Sequence, residues 1–306
     1  MMRTFFKVAG YLGEHCYRIG FIDDPFLTPF DFRRVQWLDT GNYRNGWFAD
    51  PFICKVSDTE IVLFAEEFVY ATRKGRIVRL TVQREGFRLK RIEVLLECDT
   101  HLSFPLFVEE GVRFVCPENH QSGVLKVYRY DEAAGRLTDP QVLVDERLVD
   151  AQFVKIGGWY YVMGVRYPGW FDAARTLYIY RSDALTGPYE EVQRIENPLR
   201  EERGAGRLFE RNGRWIRPAQ SCEDGYGKEV IFYEMTLHEG SFSEKELFRL
   251  APIRRMRYGL GVHAFDCRDG VAVIDGSEYR RFLAGRLSAF FWRIWNSCRS
   301  AVRKRG

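Results

Sequence analysis

One phrase recurs five times along this chain, and that repetition constrains the fold more than any other feature. It reads ADPFICKVSDTEIVLFAEE at 49–67, SFPLFVEEGVRFVCPEN at 103–119, DAQFVKIGGWYYVMGVR at 150–166, GAGRLFERNGRWIRPAQ at 204–220 and GVHAFDCRDGVAVIDGSE at 261–278. Each is a short apolar run, a turn and a second apolar run. The turns carry Ser-Asp, Glu-Gly, Gly-Gly, Asn-Gly and Asp-Gly, which suit tight hairpins. Further strand-like runs follow, such as RIVRLTV (76–82), VLKVYRY (124–130), TLYIYRS (176–182) and EVIFYEM (229–235). The phrases start about 45–60 residues apart, which is room for four strands and is the period of a propeller blade.

Five phrases predict an all-β fold, a five-bladed β-propeller over residues 33–278. Residues 1–32 are read as an N-terminal extension and 279–306 as a C-terminal amphipathic helix. The segment RRVQWLDT (33–40) is expected to close the ring by completing the last blade. The 24 Phe, 16 Tyr and 7 Trp agree with strands, because rings pack well on pleated surfaces.

In a propeller the first strand of each blade lines a central channel. Residues at the start of that strand and at the end of the second strand converge on one mouth. The first-strand positions are Asp50, Ser103, Asp150, Arg207 and His263. The second-strand positions are Glu66 with Glu67, Glu118, Arg166, Gln220, and Asp275 with Glu278. Strand capping accounts for single residues of this kind. It does not account for so many charges facing one axis, where their burial is costly.

These residues resemble a known family. The FADPF opening (48–52) is similar to that of five-bladed propellers of the glycoside hydrolase 43-like superfamily. A fuller match is the N-terminal propeller domain of glucosamine inositolphosphorylceramide transferases and of related bacterial polysaccharide-biosynthesis proteins. The shared motifs are FADPF, FAEE (64–67), HLSFPLF (101–107), PEN (117–119), Val149-Asp150, GAGR (204–207), RPAQSCEDGYG (217–227) and GVHAF (261–265). They run in order over about residues 40–278 at blade spacing.

The resemblance implies a carbohydrate-active site. Hydrolases of this type set a carboxylate base against a carboxylic acid across the sugar. Asp50 matches the base, and Asp150 matches the Asp that orients and tunes the acid. The acid is expected as a Glu at the start of the fourth blade, where this chain has Gly204-Ala205-Gly206-Arg207. Glu201 and Glu202 lie just upstream as weak substitutes. Loss of a positioned acid typically removes about 10²–10⁴ in rate for an alkoxide leaving group. A phosphate leaving group needs positive charge or hydrogen-bond donors instead. Arg166, Arg207, Arg217 and His263 are the candidates. Asp50, Asp150, Glu66 and Glu118 are therefore the candidate catalytic residues. His101, Ser103, Arg166, Arg207, Arg217, Gln220, Tyr226 and His263 are the candidate substrate-binding residues. Trp47, Trp159 and Trp170 are read first as core and second as sugar-stacking rings. His15, His120 and His238 lack a context that favours a role. No cofactor is expected, with a divalent cation such as Ca²⁺ a minor alternative.

Three function classes stay open on this reading. The first is a glycosyltransferase-like enzyme of cell-surface polysaccharide or glycolipid assembly. The second is a glycoside hydrolase with a displaced acid, such as Glu118 or Glu66. The third is a non-catalytic glycan-binding module that recruits other glycan-assembly enzymes.

Charge bears on the partner. The net charge is +4, yet residues 279–306 hold eight basic residues and no acid, so the remainder stands at −4. That distribution argues against nucleic acid. In the tail, Leu283, Leu287, Phe290, Phe291, Ile294 and Cys298 share one helical face and arginines lie off it. This pattern predicts contact with an anionic inner-membrane surface, next to a sugar or lipid-linked glycan substrate; docking on the propeller is the alternative. The seven cysteines show no CxxC spacing, which argues against a disulfide framework or zinc cluster. The N-terminal apolar run is broken by Lys7, Glu14 and His15 and makes a poor signal peptide. A cytoplasmic location is expected.

Overall fold

The computed structural model describes residues 14–23, 31–167, 176–196, 203–221 and 226–280. Two strands come first, β1 (Glu14–Asp23) and β2 (Gln36–Trp37). Blade 1 is β3 (Gly46–Val56), β4 (Glu60–Val69), β5 (Lys74–Gln83) and β6 (Arg88–Leu96). Blade 2 is β7 (Ser103–Glu110), β8 (Val112–Glu118), β9 (Leu125–Asp131) and β10 (Arg136–Val144). Blade 3 is β11 (Leu148–Ile156), β12 (Trp159–Arg166), β13 (Thr176–Ser182) and β14 (Glu190–Glu196). Blade 4 is β15 (Phe209–Arg211), β16 (Arg214–Ser221), β17 (Glu229–His238) and β18 (Ser241–Leu250). The chain ends its described part with β19 (Phe265–Arg268) and β20 (Val271–Arg280).

Each blade is a four-stranded antiparallel sheet in simple up-and-down order, and the five make the propeller. Blade 5 differs in origin. Its order is β19-β20-β1-β2, so the two chain ends share one sheet. β1 pairs with β20 from Glu14↔Arg280 to Asp23↔Val271. This moves the N-terminal boundary. Residues 14–23 are a blade strand, not part of an extension, and the 33–40 segment supplies only the outermost strand β2. The physical reason is burial: Cys16, Ile19 and Phe21 are all within 3% of fully buried and fill the seam that an open ring would leave wet. Tyr279 and Arg280 finish β20, and residues 281–306, where the amphipathic helix is expected, lie outside the described residues.

Apolar faces pack blade on blade. Phe52 meets Phe104 edge-to-face at 5.0 Å, and Phe64 meets Phe107 at 5.2 Å and Tyr130 at 4.9 Å, joining blades 1 and 2. Phe232 meets Phe265 at 4.9 Å between blades 4 and 5. Such pairs add about 0.5–1.5 kcal/mol each beyond their buried area.

The seam between blades 4 and 5 depends on one glycine. Gly206 has φ 149, and a Cβ there would lie 1.7 Å from Phe265 O. Gly206→Ala is expected to cost about 2–4 kcal/mol, because backbone cannot move aside as a side chain can. Gly213→Ala, at φ 72 in an open turn, is expected to cost only about 1 kcal/mol. Urea midpoints of the two variants check this.

Candidate active site

Three first strands carry the same local distortion. The ladder slips between Ala49 and Phe52 in β3, between Ser103 and Leu106 in β7, and between Val149 and Gln152 in β11. Each slip is a bulge, and each holds one left-handed residue: Asp50 (φ 48), Phe104 (φ 44) and Asp150 (φ 45). Non-glycine residues hold this conformation at a cost of about 1–3 kcal/mol, and such strain gathers at functional sites. Asp50 and Asp150 thus occupy one structural position in blades 1 and 3. Its counterpart in blade 2 is Phe104, not Ser103, which stands opposite Glu118 as Ala49 stands opposite Glu66.

Asp50 answers to three blades. Its Oδ2 accepts from Phe104 N at 3.0 Å, and its own N donates to Asp275 Oδ2 at 3.1 Å. His263 Nε2 lies 3.6 Å from Asp50 Oδ1, and His263 Nδ1 lies 2.7 Å from Asp275 Oδ2. Asp275 is itself fixed by the backbone N–H groups of His263 and Ala264, both at Oδ1. Burial pushes Asp50 up to about 7, tempered by His263 and reinforced by Asp275. Burial works against a charged His263, but Asp275 and Asp50 outweigh it and raise the imidazole to about 9.

The other acids divide by environment. Burial, with Asp50 and Glu118 nearby, raises Glu66 well above the usual range and favours its neutral acid. His101 Nδ1 accepts from Gly75 N at 2.9 Å, so its Nε2, 3.4 Å from Glu66 Oε1, is the protonated nitrogen of the neutral ring. Glu118 is also buried, yet hydrogen bonding and charge from His120, joined by Arg203, draw it down to about 2. It accepts from Ser103 Oγ at 2.8 Å and from His120 N at 2.9 Å, with His120 Nδ1 2.6 Å away. Asp150 accepts from Arg203 Nε at 2.7 Å and Gln220 Nε2 at 2.8 Å. Burial raises Asp150 despite the Arg203 charge. Tyr226 roofs this side, its ring 5.1 Å from the Arg203 guanidinium and edge-on to His263 at 5.4 Å.

Three expected arginines are engaged elsewhere. Arg166 pairs with Glu146 and Glu191 and lies over Tyr178, because it sits one residue beyond the Val149↔Val165 pair and so points off the axis. Arg217 is fully buried against Glu244, with Gln152 Oε1 3.3 Å away, and is a blade fastener. Arg207 donates to Ile53 O at 3.0 Å and Asp266 Oδ2 at 2.9 Å. Ile53 lies three residues past Asp50, about 10 Å further along the strand. Glu67 is held by Tyr43 and Arg76, away from the ring. Trp159 covers Arg181 at a hairpin, while Trp170, Glu201 and Glu202 lie outside the described residues.

Four ring residues escaped sequence reasoning. Arg203 directly precedes the GAGR motif and supplies the cation expected from Arg207. His120 follows PEN and anchors Glu118. Tyr17 stacks on His263 at 4.5 Å, and His15 lies beside it, pushed down to about 4 by burial, His263 and Lys228. The last two come from β1, whose place in blade 5 nothing local reveals.

Asp50, His263 and Asp275 bring donor atoms within 4.8 Å of one another. A cation binding there must displace the His263 proton. The protonation pattern also sets a pH dependence. Folded His263 keeps its proton to about 9, against an ordinary 6.5. Its contribution is complete below pH 6.5 and is lost as pH rises through 9. Asp50, raised from 3.8 to about 7, acts in the same direction over its own window. The melting temperature is expected to fall by roughly 5 °C or more between pH 6 and 9.5, and His263→Gln is expected to flatten that slope.

The class this fold defines is the five-bladed propeller, which solved family-43 glycoside hydrolases share. Solved structures match at the level of fold. A thermostable family-43 glycoside hydrolase aligns with a TM-score of 0.56 at 12% identity, covering 81% of this chain and 89% of its own. A β-xylosidase/α-arabinofuranosidase from a compost microbial metagenome gives 0.54 at 15% identity, covering 74% and 83%. The chain belongs to the family described as glucosamine inositolphosphorylceramide transferase 1, N-terminal, whose model matches residues 35–269. Proteins named glucosamine inositolphosphorylceramide transferase 1 are 27% identical to it, over 82% of this chain for Oryza sativa subsp. japonica and 87% for Arabidopsis thaliana. The chain spans about a third of the rice protein and two fifths of the Arabidopsis one.

Proposed function

We propose that the acidic ring handles a sugar, and that its chemistry is glycosyl transfer in polysaccharide or glycolipid assembly. The observation that carries this is the pairing of a poised Asp50 with a fourth-blade corner too tight for an acid. A Cβ on Gly204 would lie 2.2 Å from Asp150 O, and one on Gly206 would lie 1.7 Å from Phe265 O. No glutamate side chain fits at either place.

In this reading an acceptor hydroxyl gives its proton to Asp50 as the oxygen attacks the donor's anomeric carbon. The bond from that carbon to a phosphate breaks, and the phosphate leaves with the electron pair. Protonated His263 and Arg203 face the departing charge, a role earlier expected of Arg207 and Arg217. Glu66, held neutral, and the Asp150–Gln220 pair orient hydroxyls. Glu66 Oε1 and Gln220 Oε1 are buried without a hydrogen-bond partner among the described residues, and sugar hydroxyls would satisfy both. The relatives' name supports an inositolphosphorylceramide-type glycolipid as acceptor. The basic residues of 279–306 support a place at an anionic membrane surface on the cytoplasmic side.

The test incubates the protein with lipid-linked glycan extract and nucleotide sugars and follows masses. Donor-dependent mass gain is the expected result; donor-independent sugar release would overturn it in favour of hydrolysis. The relatives' greater length favours a second reading, a glycan-binding module that serves a separate transferase domain. Binding without any mass change selects that reading.

A further inference from the structure

A cavity of about 670 Å³ opens where blades 5 and 1 meet, outside the ring. Four arginines line it, Arg18, Arg44, Arg257 and Arg280, against the single carboxylate of Asp39. Three of them crowd one ring: the guanidiniums of Arg18, Arg257 and Arg280 lie 5.7, 4.8 and 5.5 Å from the centre of Tyr258. Like charges drawn together this way repel unless an anion joins them.

The protein's own acids do little to neutralise the group. Arg280 pairs with Glu278. Arg18 instead donates to Leu38 O at 3.3 Å and to Thr40 Oγ1. Arg44 donates to Gly41 O and Tyr43 O. Among the described residues, no carboxylate lies within ion-pair distance of Arg18, Arg44 or Arg257. Backbone carbonyls and a hydroxyl thus fix these forks without cancelling their charge.

Two tryptophans also line the cavity. Trp37 lies against Gly20 and Gly276, where a Cβ would come within 2.9 and 2.3 Å of it. Trp47 touches Tyr17 at 5.2 Å, and Tyr17 stacks on His263. One aromatic layer therefore separates this cavity from the acidic ring.

We infer that this cavity is a binding site for a phosphate ester, either free or at the head of a lipid. Guanidinium forks match phosphate oxygens in pairs, and the volume lies in the usual range for small-molecule sites. The inference does not depend on the chemistry proposed for Asp50.

The probes are glucose 1-phosphate, read by the fluorescence of Trp37 and Trp47, and phosphatidylcholine vesicles carrying phosphatidylinositol or an equal charge of phosphatidylserine, read by the excess co-sedimentation on phosphatidylinositol, since the basic residues of 279–306 meet either anionic surface alike. The full chain is compared with R44A/R257A and D50N. Arg44 and Arg257 are exposed, so the double variant is expected to keep its melting temperature. It is expected to bind the responsive probe about 10–100-fold more weakly, while Asp50→Asn leaves that binding intact. A response to glucose 1-phosphate assigns a soluble ligand. A response to phosphatidylinositol vesicles alone, lost in the double variant, assigns a lipid headgroup. Equal binding by the double variant, equal loss in D50N, or binding of neither probe would overturn the inference.

Discussion

Asp50→Asn is expected to lower donor-dependent glycosyl transfer by about 10²–10⁴-fold, the usual worth of a positioned proton acceptor. The substitution isolates that role. Asn tolerates the left-handed backbone that Asp50 adopts, and it keeps an oxygen for Phe104 N. It also removes a buried carboxyl that burial disfavours in its charged form. Stability is expected to hold, and KM to change only a few-fold, so the loss falls on kcat. Thermal melts and initial rates of the same preparation separate these effects. Full retention of kcat would remove Asp50 from the chemistry and leave it as a ligand or a blade cap.

Arg217→Met is expected to do the opposite, costing about 3–5 kcal/mol of stability with no change in kcat per folded molecule. The guanidinium is fully buried and Glu244 only 7% exposed at its side chain, so removing one partner strands a charge in the interior. Gln152 Oε1 loses a donor as well. The double variant R217M/E244M is expected to recover most of the loss, because the pair repays its own desolvation rather than adding much beyond it. Urea unfolding of the single and double variants gives the comparison. A kcat loss in the single variant at full folding would return Arg217 to the substrate.

Sequence and structure part at Asp50 and Arg217. Both residues stand in motifs of the repeat, FADPF and RPAQ, and both looked like channel residues. The bulge at Asp50 turns its carboxylate toward the axis, while regular pairing at Arg217↔Tyr233 turns the guanidinium into the blade. Arg166 turns toward Glu146 and Glu191 for the same reason, since one step along a strand exchanges the two faces. Glu66 and Glu118 share one register, each opposite the residue that precedes its blade's bulge.

The sequence by itself determined the hairpins, the blade count and the acids of the inner strands. Those features are local: turn residues set hairpin geometry, and alternation sets which face is buried. The tertiary structure alone decided which charges meet. Asp50 N and Asp275 are 225 positions apart, and Asp150 and Gln220 are 70 apart. Ring closure by β1 then brought Tyr17 and His15 to a site on which their neighbours in the chain have no bearing. Coupling of that kind depends on distance through space, and distance is settled only when the five blades pack around a common axis.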